Sequence, residues 1–275
     1  MKNAHILICV FYFIYLFKSK NINVYFKAIF DENISEKIYC YIYFHVLLYF
    51  GSDMAKFKEL NGIKVKKVGG GYYFFKRLFD FLVALFALLL VGWFLLIMGI
   101  IVAICLKGNP LYGDRRIGKG GKVIKVLKFR SMYKDANDHP EKYLNEEQMK
   151  QFKEERKVDN DPRVTPIGKF TRKTSIDELP QLLNIFIGNM SLVGPRPITE
   201  WELEKHFTKE QKEIFLSAKP GLTGHWQVSG RSEVEFDNGE RQKLELEYFE
   251  IRGLWTDLKI LFKTVPAVLK HKGAK

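Results

Sequence analysis

Residues 81–106 read FLVALFALLLVGWFLLIMGIIVAICL and contain no charged side chain. At about 1.5 Å of rise per residue, a helix over these roughly 26 residues would be about 39 Å long. That length exceeds the roughly 30 Å thickness of the hydrocarbon core of a bilayer. The stretch therefore predicts a membrane-inserted helix, to which we assign residues 73–107.

Basic residues flank the apolar stretch on both sides. They are Lys76 and Arg77 before it, and Lys107, Arg115 and Arg116 after it. Positive charges near membrane segments are kept on the cytoplasmic side, so the two flanks favour a re-entrant helical hairpin over a straight crossing. A hairpin needs a break near the middle, where Gly92 lies, although glycine weakens a helix by only about 1 kcal/mol relative to alanine.

The chain before the membrane segment falls into two parts. Residues 1–53 contain two apolar runs, Ile6–Phe17 and Ile38–Phe50, which are shorter than the roughly 20 residues needed to span a bilayer. They predict interfacial or buried helices, unless this extension results from an upstream mis-start and the natural protein begins at Met54, where the composition changes abruptly. We expect residues 54–72, which include a glycine triplet, to form a flexible linker.

The sequence of residues 108–275 predicts a small catalytic domain of the α+β class that is mainly helical. The predicted elements are a strand at Val123–Phe129, an exposed helical excursion over 137–160, and helices at Leu179–Phe186 and Glu200–Leu216. No small-residue cleavage site of a secretory signal follows the first apolar run, so we expect this domain to face the cytoplasm.

The C-terminal segment predicts an amphipathic helix. Apolar residues recur at helical spacing from Leu254 to Val268 and alternate with lysines such as Lys259 and Lys263. Such a helix is suited to an anionic membrane surface, but it could equally pack on the protein's own core. Pro266 would kink it in either case.

The charge balance favours polyanionic partners. The 44 Lys and Arg residues outnumber the 31 Asp and Glu residues, which gives a net charge of +13. The basic residues gather around the membrane flanks and near carboxylates instead of forming an aromatic-interleaved stripe, so we expect no nucleic-acid partner. Cys9, Cys40 and Cys105 lie in apolar runs without metal-ligand spacing and are interpreted as reduced.

Adjacent carboxylates and several cations are concentrated between residues 169 and 197. The polar members are Lys169, Arg172, Lys173, Ser175, Asp177, Glu178, Asn184, Asn189, Ser191 and Arg196. Two neighbouring carboxylates would repel a diphosphate unless a hard divalent cation binds both partners. The pair Asp177 and Glu178 therefore predicts a Mg²⁺ site.

A purely structural interpretation of the same residues also stands. Ser175 followed three residues later by Glu178 fits a helix capping box. Pro180 argues against that register, because it would lie beyond the first turn and forfeit a hydrogen bond. A helix that starts at Asp177 or Glu178 instead places both carboxylates at the positive end of the helix dipole.

Several motifs resemble the bacterial sugar transferases, the monotopic phosphoglycosyl transferases. In order, they are Lys76–Asp80, the apolar segment, Lys128–Met132, Asp161–Thr165, Thr174–Leu182, Ser191–Pro197, Lys219–Gly224 and Ser229–Arg231. The likeness covers about Tyr73 to Leu269 in consistent order. One departure concerns the membrane segment, where the family's Ser-Pro break is replaced by Gly92-Trp93.

The resemblance implies a two-step transfer of a sugar phosphate. Asp177 would attack the sugar-bearing phosphorus of a UDP-sugar and release UMP, as carboxylates do in aspartyl-phosphate chemistry. A polyprenyl phosphate such as undecaprenyl phosphate would then take the phosphosugar from the enzyme. The implied role is the first membrane step of exopolysaccharide, capsule or glycoconjugate synthesis at the bacterial cell membrane. Glucose and galactose are the sugars that the resemblance suggests.

The resemblance also implies roles for individual residues. Glu178 would carry Mg²⁺ beside Asp177, Arg172 would contact phosphate, and Pro195-Arg196-Pro197 would border the nucleotide pocket. Arg231 would hold the phosphates, for which bidentate arginine pairing is suited. The implied partners are a UDP-sugar, polyprenyl phosphate and anionic membrane lipid, and a homodimer stays open.

Two basic residues have two interpretations each. Lys128 and Arg130 would either line the site or fix the membrane interface.

Weaker motifs leave rival functions. Asp159-Asn160-Asp161 forms the D-x-D pattern of metal-dependent glycosyltransferases that release UDP, but we favour a turn before Pro162. Gly118–Gly121 predicts a glycine turn more than a phosphate loop. His225 and Trp226 are assigned to packing or to the edge of the cleft. A basic, membrane-anchored interaction module is the non-enzymatic alternative.

Overall fold

The computed structural model describes residues 57–60, 63–156, 158–229 and 239–269. This part of the chain is mainly helical with three two-stranded sheets, so the predicted α+β class is confirmed. The helices are α1 Gly70–Leu106, α2 Glu146–Glu155, α3 Pro166–Lys173, α4 Gln181–Ile187, α5 Glu200–His206, α6 Lys209–Phe215, α7 His225–Ser229, α8 Glu240–Ile251 and α9 Leu254–Leu269. The strands are β1 Phe57–Leu60, β2 Ile63–Lys66, β3 Leu111–Ile117, β4 Val123–Phe129, β5 Ser191–Val193 and β6 Gly221–Thr223. The predictions for residues 1–53 and Arg231 lie outside the described residues.

Helix α1 runs without interruption for 37 residues. The break expected at Gly92 is not seen, and the re-entrant hairpin is therefore not confirmed. Glycine lowers helix propensity but forces no bend, and nothing lies within 4 Å of the place where a Cβ of Gly92 would stand. Within the described ranges, α1 is the one helix that is long and apolar enough to cross a membrane.

The outer face of α1 is apolar and exposed. Its large exposed side chains include Phe74, Leu78, Leu82, Phe86, Leu89, Trp93, Leu96, Ile100 and Ile104. They recur every three or four residues and so form one stripe along the helix. An uninterrupted apolar surface of this length is typical of a membrane interaction site.

The beginning of α1 is fixed to the rest of the domain by a buried carboxylate. Asp257 of α9 accepts hydrogen bonds from Lys76 Nζ at 2.7 Å, Tyr248 Oη at 3.0 Å and Tyr72 Oη at 3.1 Å. Lys76, interpreted from the sequence as a flanking membrane charge, therefore forms a largely buried ion pair.

The next turn of α1 docks through two further charged residues. Arg77 donates to the carbonyl oxygens of Ile185 and Phe186, both at 2.7 Å. The carboxylate of Asp80 accepts a hydrogen bond from the backbone N–H of Leu192 at 3.1 Å. The two bonds from Arg77 satisfy carbonyls at the end of α4, which the helix itself leaves unpaired.

The far end of α1 contacts the same domain. Met98 and Val102 are buried against Phe129, and Ile176 packs on this cluster. The domain therefore holds α1 near both of its ends, one at Arg77 and the other close to Val102.

The segment that was expected to be a linker contains a packed hairpin. Strands β1 and β2 pair antiparallel, with Phe57 opposite Lys66. Val65 is buried in the main core, and Arg252 Nε donates to the carbonyl of Lys66 at 2.9 Å. Gly70, interpreted as part of a flexible joint, is the first residue of α1.

Strands β3 and β4 form the hairpin that supports the candidate site. Strand β4 has the bounds predicted from the sequence, and it pairs antiparallel with β3. The connection contains Gly120 and Gly121 at φ 69° and 79°, so the predicted glycine turn is confirmed. Strands β5 and β6 pair in parallel.

The single helix predicted over 200–216 is wrong, because the structure contains α5 and α6 instead. Thr208 Oγ1 accepts the N–H of Gln211 and starts the second helix with its own capping box. The excursion predicted over 137–160 contains α2, which is also capped, by Asn145 and Gln148.

Helix α9 was expected either to lie on a membrane surface or to pack on the protein's own core, and it has features of both. Ile260 is buried in the main core, whereas Trp255 and Phe262 are 70% and 75% exposed. Pro266 lies inside the helix without ending it. The helix therefore packs on the domain and also presents an apolar surface.

Candidate active site

The two adjacent carboxylates lie in a tight turn between α3 and α4. Ile176–Glu178 is a 3₁₀ turn, and α4 begins only at Gln181 with Pro180 as its N-cap. Ser175 has a left-handed backbone with φ 56° and makes no side-chain cap, so the capping-box interpretation is wrong. A non-glycine residue in this conformation costs energy that the surrounding structure must supply, and such residues cluster at functional sites.

Asp177 is buried, with 8% of its surface exposed. Burial raises its pKa from 3.8 to about 6, and the charge of Glu178 adds to the rise. Lys128 and Arg172 oppose the shift by favouring the ionised carboxylate. A carboxylate that is removed from water but balanced by two cations is a suitable nucleophile near neutral pH.

Lys128 reaches this turn from β4. Its Nζ lies 3.4 Å from Glu178 Oε1, and both side chains are partly exposed. Of the two interpretations that the sequence left open, the structure favours the site for Lys128.

Arg172 is held beside Asp177 by a residue to which sequence reasoning gave no role. Its Nε donates to Ser131 Oγ at 2.9 Å, and burial lowers its pKa. A Cβ on Gly168 would stand 2.0 Å from the carbonyl oxygen of Ser131, so α3 can lie against this backbone only with glycine there. The Ser131 segment therefore sets the position of Arg172.

Arg130 is separate from the two carboxylates. Its charge acts on the Tyr112 hydroxyl, and its buried Nε has no hydrogen-bond partner among the residues that the structure describes. None of the described contacts joins it to Asp177 or Glu178.

The Pro195-Arg196-Pro197 segment lies in a second cluster. The guanidinium groups of Arg196 and Arg241 lie 5.4 Å and 4.1 Å from the ring centre of Trp226. Trp226 is buried there, as its assignment to packing predicted. Arg116 Nη1 donates to the carbonyl of Pro197 at 3.3 Å and anchors the segment to β3.

The β3–β4 hairpin gives the separation of the two clusters. Lys128, beside the carboxylates, pairs with Tyr112, whereas Arg116, beside Pro197, lies four residues further along β3. At about 3.4 Å per residue, the clusters are roughly 14 Å apart along the strand. The hairpin thus carries one cluster near each of its ends.

The residues present fit a magnesium ion. Mg²⁺ usually takes one or two carboxylates and completes its shell with water and substrate phosphates. Asp177 and Glu178 supply two carboxylates, and no group of three or more acidic, histidine or cysteine ligands exists in the described part of the chain. The described residues therefore do not form a closed structural metal site. They fit an open site, in which water and substrate phosphates would complete the coordination of Mg²⁺.

The residues of the D-x-D pattern form hydrogen bonds within the domain. Both oxygens of Asp161 accept hydrogen bonds from Arg163, and this buried guanidinium also stacks 4.3 Å from the ring centre of Phe152. Asp159 faces Gln151 through its backbone N–H at 3.3 Å. The pair forms a turn, as predicted, and both oxygens of Asp161 are engaged by Arg163.

Comparison with known proteins places the chain in a family. The model for "Bacterial sugar transferase" matches residues 71–271. The exopolysaccharide production protein ExoY of Rhizobium meliloti is 42% identical over 212 residues, which cover 76% of this chain and 91% of ExoY.

Two longer relatives match as well. The undecaprenyl-phosphate galactose phosphotransferase of Salmonella typhimurium is 41% identical over 73% of this chain and 42% of its own length. The UDP-glucose:undecaprenyl-phosphate glucose-1-phosphate transferase of Klebsiella pneumoniae is 37% identical over 77% of this chain and 44% of its own length. The chain thus spans less than half of these two proteins. It belongs to the bacterial sugar transferase family and is a membrane enzyme of the phosphoglycosyl transferase class.

Proposed function

We propose that the chain transfers a sugar 1-phosphate from a UDP-sugar to undecaprenyl phosphate, giving undecaprenyl diphosphate sugar and UMP. The observation that carries the proposal is the buried Asp177 carboxylate, which lies next to Glu178 and is balanced by Lys128 and Arg172. The names of the relatives support the donor and acceptor classes, and ExoY supports a role in exopolysaccharide production.

In the first step, an Asp177 oxygen forms a bond to the phosphorus that carries the sugar. The bond from that phosphorus to the bridging oxygen of the diphosphate breaks, and UMP leaves with the bonding electrons. Lys128 and Arg172 offset negative charge that builds up on the transferred group. Arg196, in the second cluster, would contact the nucleotide end.

In the second step, a phosphate oxygen of the acceptor attacks the same phosphorus. The bond between phosphorus and Asp177 breaks, and the carboxylate is regenerated. The neighbouring cations keep Asp177 ionised so that it serves as leaving group and then again as nucleophile.

Asp177 and Glu178 would hold Mg²⁺, which supplies charge neutralisation for the diphosphate when it is bound. Removal of divalent ions with EDTA should abolish UMP release, and added Mg²⁺ should restore it.

The test of the proposal is a trapping experiment on the full chain in detergent micelles. With UDP-sugar and no acceptor, intact-mass analysis should find one added phosphosugar on wild type and none on Asp177→Asn. UMP release by Asp177→Asn should fall at least about a thousandfold, as for the loss of a nucleophile. Asp159→Asn, which alters the exposed acid of the D-x-D pattern, is the matched control and should stay active. Release of UDP, or normal turnover by Asp177→Asn, would refute the proposal.

The sugar is proposed as galactose or glucose, because these are the sugars in the names of the relatives. A panel of UDP-sugars assayed for UMP release will identify it. Preference for a donor sugar other than these two would contradict this part of the proposal.

We also propose that both ends of α1 stay on the cytoplasmic side of the membrane. A helix that crosses the bilayer would separate its ends by about 30 Å of hydrocarbon. The same domain, however, contacts α1 at Arg77 and again at Val102. The apolar outer stripe of α1 would then be immersed from one side.

Cysteine labelling in membrane vesicles tests this placement. In a background with Cys9, Cys40 and Cys105 replaced by serine, Lys67→Cys and Asn109→Cys place one exposed thiol before α1 and one after it. A membrane-impermeant maleimide should label both from the cytoplasmic face. Labelling from opposite faces would mean that α1 crosses the bilayer.

A further inference from the structure

A group of basic residues gathers at the beginning of α1. The backbone N–H of Gly120 donates to the carbonyl of Leu216 at 2.8 Å, which brings the turn with Lys119 to the segment that leads into Lys219. Lys219 in turn lies beside β5, because Ser191 N–H donates to the carbonyl of Pro220 at 2.9 Å.

Arg77 completes the group from α1. It lies within electrostatic range of Lys219, as do Lys119 and Asp80. Three elements that are distant in sequence thus converge on one position.

The positive charges in this group exceed the negative ones. Arg77 donates to two backbone carbonyls and pairs with no carboxylate of the described residues. Lys119 Nζ lies 4.6 Å from the ring centre of Tyr73. Lys219 makes no hydrogen bond or ion pair with any residue that the structure describes. Asp80 is the carboxylate that faces Lys219, so three cations stand against one anion.

Burial makes this arrangement unfavourable without a ligand. Lys219 is only partly exposed, and burial followed by the charge of Arg77 lowers its pKa. The charge of Lys76 also acts on Lys219, but Lys76 already forms an ion pair with Asp257 at 2.7 Å. An anion between Lys119 and Lys219 would remove the repulsion, and the positive end of the α1 dipole, whose first turn carries no acidic residue, adds to the attraction.

The surroundings identify the kind of anion. Tyr73, Phe74 and Leu78 are exposed on α1 next to this group. Aromatic residues beside lysines are typical of the level of the lipid headgroups in a membrane. A soluble anion would not need the apolar side chains, whereas a phospholipid contacts both kinds of surface.

We propose that Arg77, Lys119 and Lys219 bind the phosphate of an anionic phospholipid headgroup and so fix the starting end of α1 at the membrane surface. The proposal does not depend on the proposed reaction.

Lipid retention measures the site directly. The full chain in detergent micelles is titrated with phosphatidylglycerol or phosphatidylcholine, and bound lipid is counted by native mass spectrometry. Wild type should retain one phosphatidylglycerol in preference to phosphatidylcholine. The double variant Lys119→Gln/Lys219→Gln should bind it about thirtyfold more weakly, because each lysine near an anionic lipid contributes roughly 1 kcal/mol.

Matched variants separate the site from net charge. Lys150→Gln/Lys153→Gln removes two exposed lysines of α2 and should retain the lipid like wild type. Lys219→Arg keeps the charge and should also retain it. Equal retention by the Lys119/Lys219 variant and by the Lys150/Lys153 control would overturn the proposal. So would displacement of the lipid by millimolar inorganic phosphate, which would indicate a site for a free anion. Circular dichroism checks that each variant is folded, and UMP release by wild type reports separately on the proposed reaction.

Discussion

The buried carboxylate of Glu245 accepts a hydrogen bond from the backbone N–H of Arg196 at 3.2 Å. Helix α8 thereby holds the segment that contains Arg196 at the second cluster. The other oxygen, Oε1, has no hydrogen-bond partner in the described part of the chain. Burial raises the pKa of Glu245 from 4.5 to about 7, although Arg241 and Arg196 oppose the rise.

This raised pKa predicts a stability that depends on pH. A carboxyl whose pKa is higher in the folded than in the unfolded protein contributes fully below about pH 4.5, and that contribution is lost as the pH rises through about 7. The shift corresponds to a loss on the order of 3 kcal/mol. Glu245→Gln should therefore gain stability relative to wild type as the pH rises from 5 to 8.

Denaturant unfolding in micelles at both pH values measures this effect. Glu213→Gln, which removes an exposed carboxyl from α6, is the control and should follow the wild-type pH dependence. A constant difference between Glu245→Gln and wild type across the range would contradict the assigned pKa.

The turn that contains Asp161 predicts a contrast between two ion pairs. Arg163 and Asp161 have side chains only 3% and 8% exposed, whereas the side chains of Lys142 and Asp135 are 55% and 41% exposed. Arg163→Gln leaves a buried carboxylate without its partner and should cost about 3–5 kcal/mol. Lys142→Gln breaks a solvated pair and should leave the free energy of unfolding close to that of wild type. Free energies of unfolding measure the effect of both substitutions. Similar losses would mean that burial does not determine how much each ion pair stabilises the protein.

The sequence predicts the parts of the fold that depend on local pattern. Strand β4, the glycine turn after Ile117 and the long apolar helix follow from side-chain periodicity and from glycine, which are properties of neighbouring residues. The pair Asp177 and Glu178 could be predicted as a site for a similar reason, because two adjacent carboxylates among several cations are visible in the sequence itself.

Long-range pairing is what the sequence does not reveal. Lys76 pairs with Asp257, which is 181 positions away in the sequence. Without that partner in view, the sequence indicated only a charge that flanks the membrane segment. Ser131 and Glu245 were missed for the same reason, since each acts on a residue from a distant element. The one available signal for Glu245 was its i, i+4 spacing from Arg241, which places both on one face of α8.

Asn184 provides a prediction about the support of Lys128. Its side chain is buried between α4 and β4, where Oδ1 accepts the N–H of Leu127 at 2.8 Å and Nδ2 donates to the carbonyl of Lys125 at 2.7 Å. Asn184→Asp removes the donor and brings a charge against that carbonyl.

The cost of Asn184→Asp should be at least about 1–3 kcal/mol in unfolding free energy, the usual penalty for a buried group that loses its partner. UMP release should fall as well, because β4 carries Lys128. Asn189→Asp, in the turn after α4, is the control with the same chemical change. If Asn184→Asp unfolds like wild type, the side chain does not connect α4 to β4 as described.

Two glycine-to-alanine variants test how closely α3 must approach the Ser131 segment. At Gly168 the added Cβ would stand 2.0 Å from the carbonyl oxygen of Ser131, whereas at Gly92 nothing lies within 4 Å. Gly168→Ala must push Ser131 away from Arg172, and a displacement of about 1 Å at a reacting group can lower the rate roughly a hundredfold. Gly92→Ala should leave UMP release unchanged and stabilise α1 by up to about 1 kcal/mol. The assay compares UMP release with unfolding free energy for both variants. If Gly168→Ala proves as active as Gly92→Ala, the contact between α3 and Ser131 does not position Arg172.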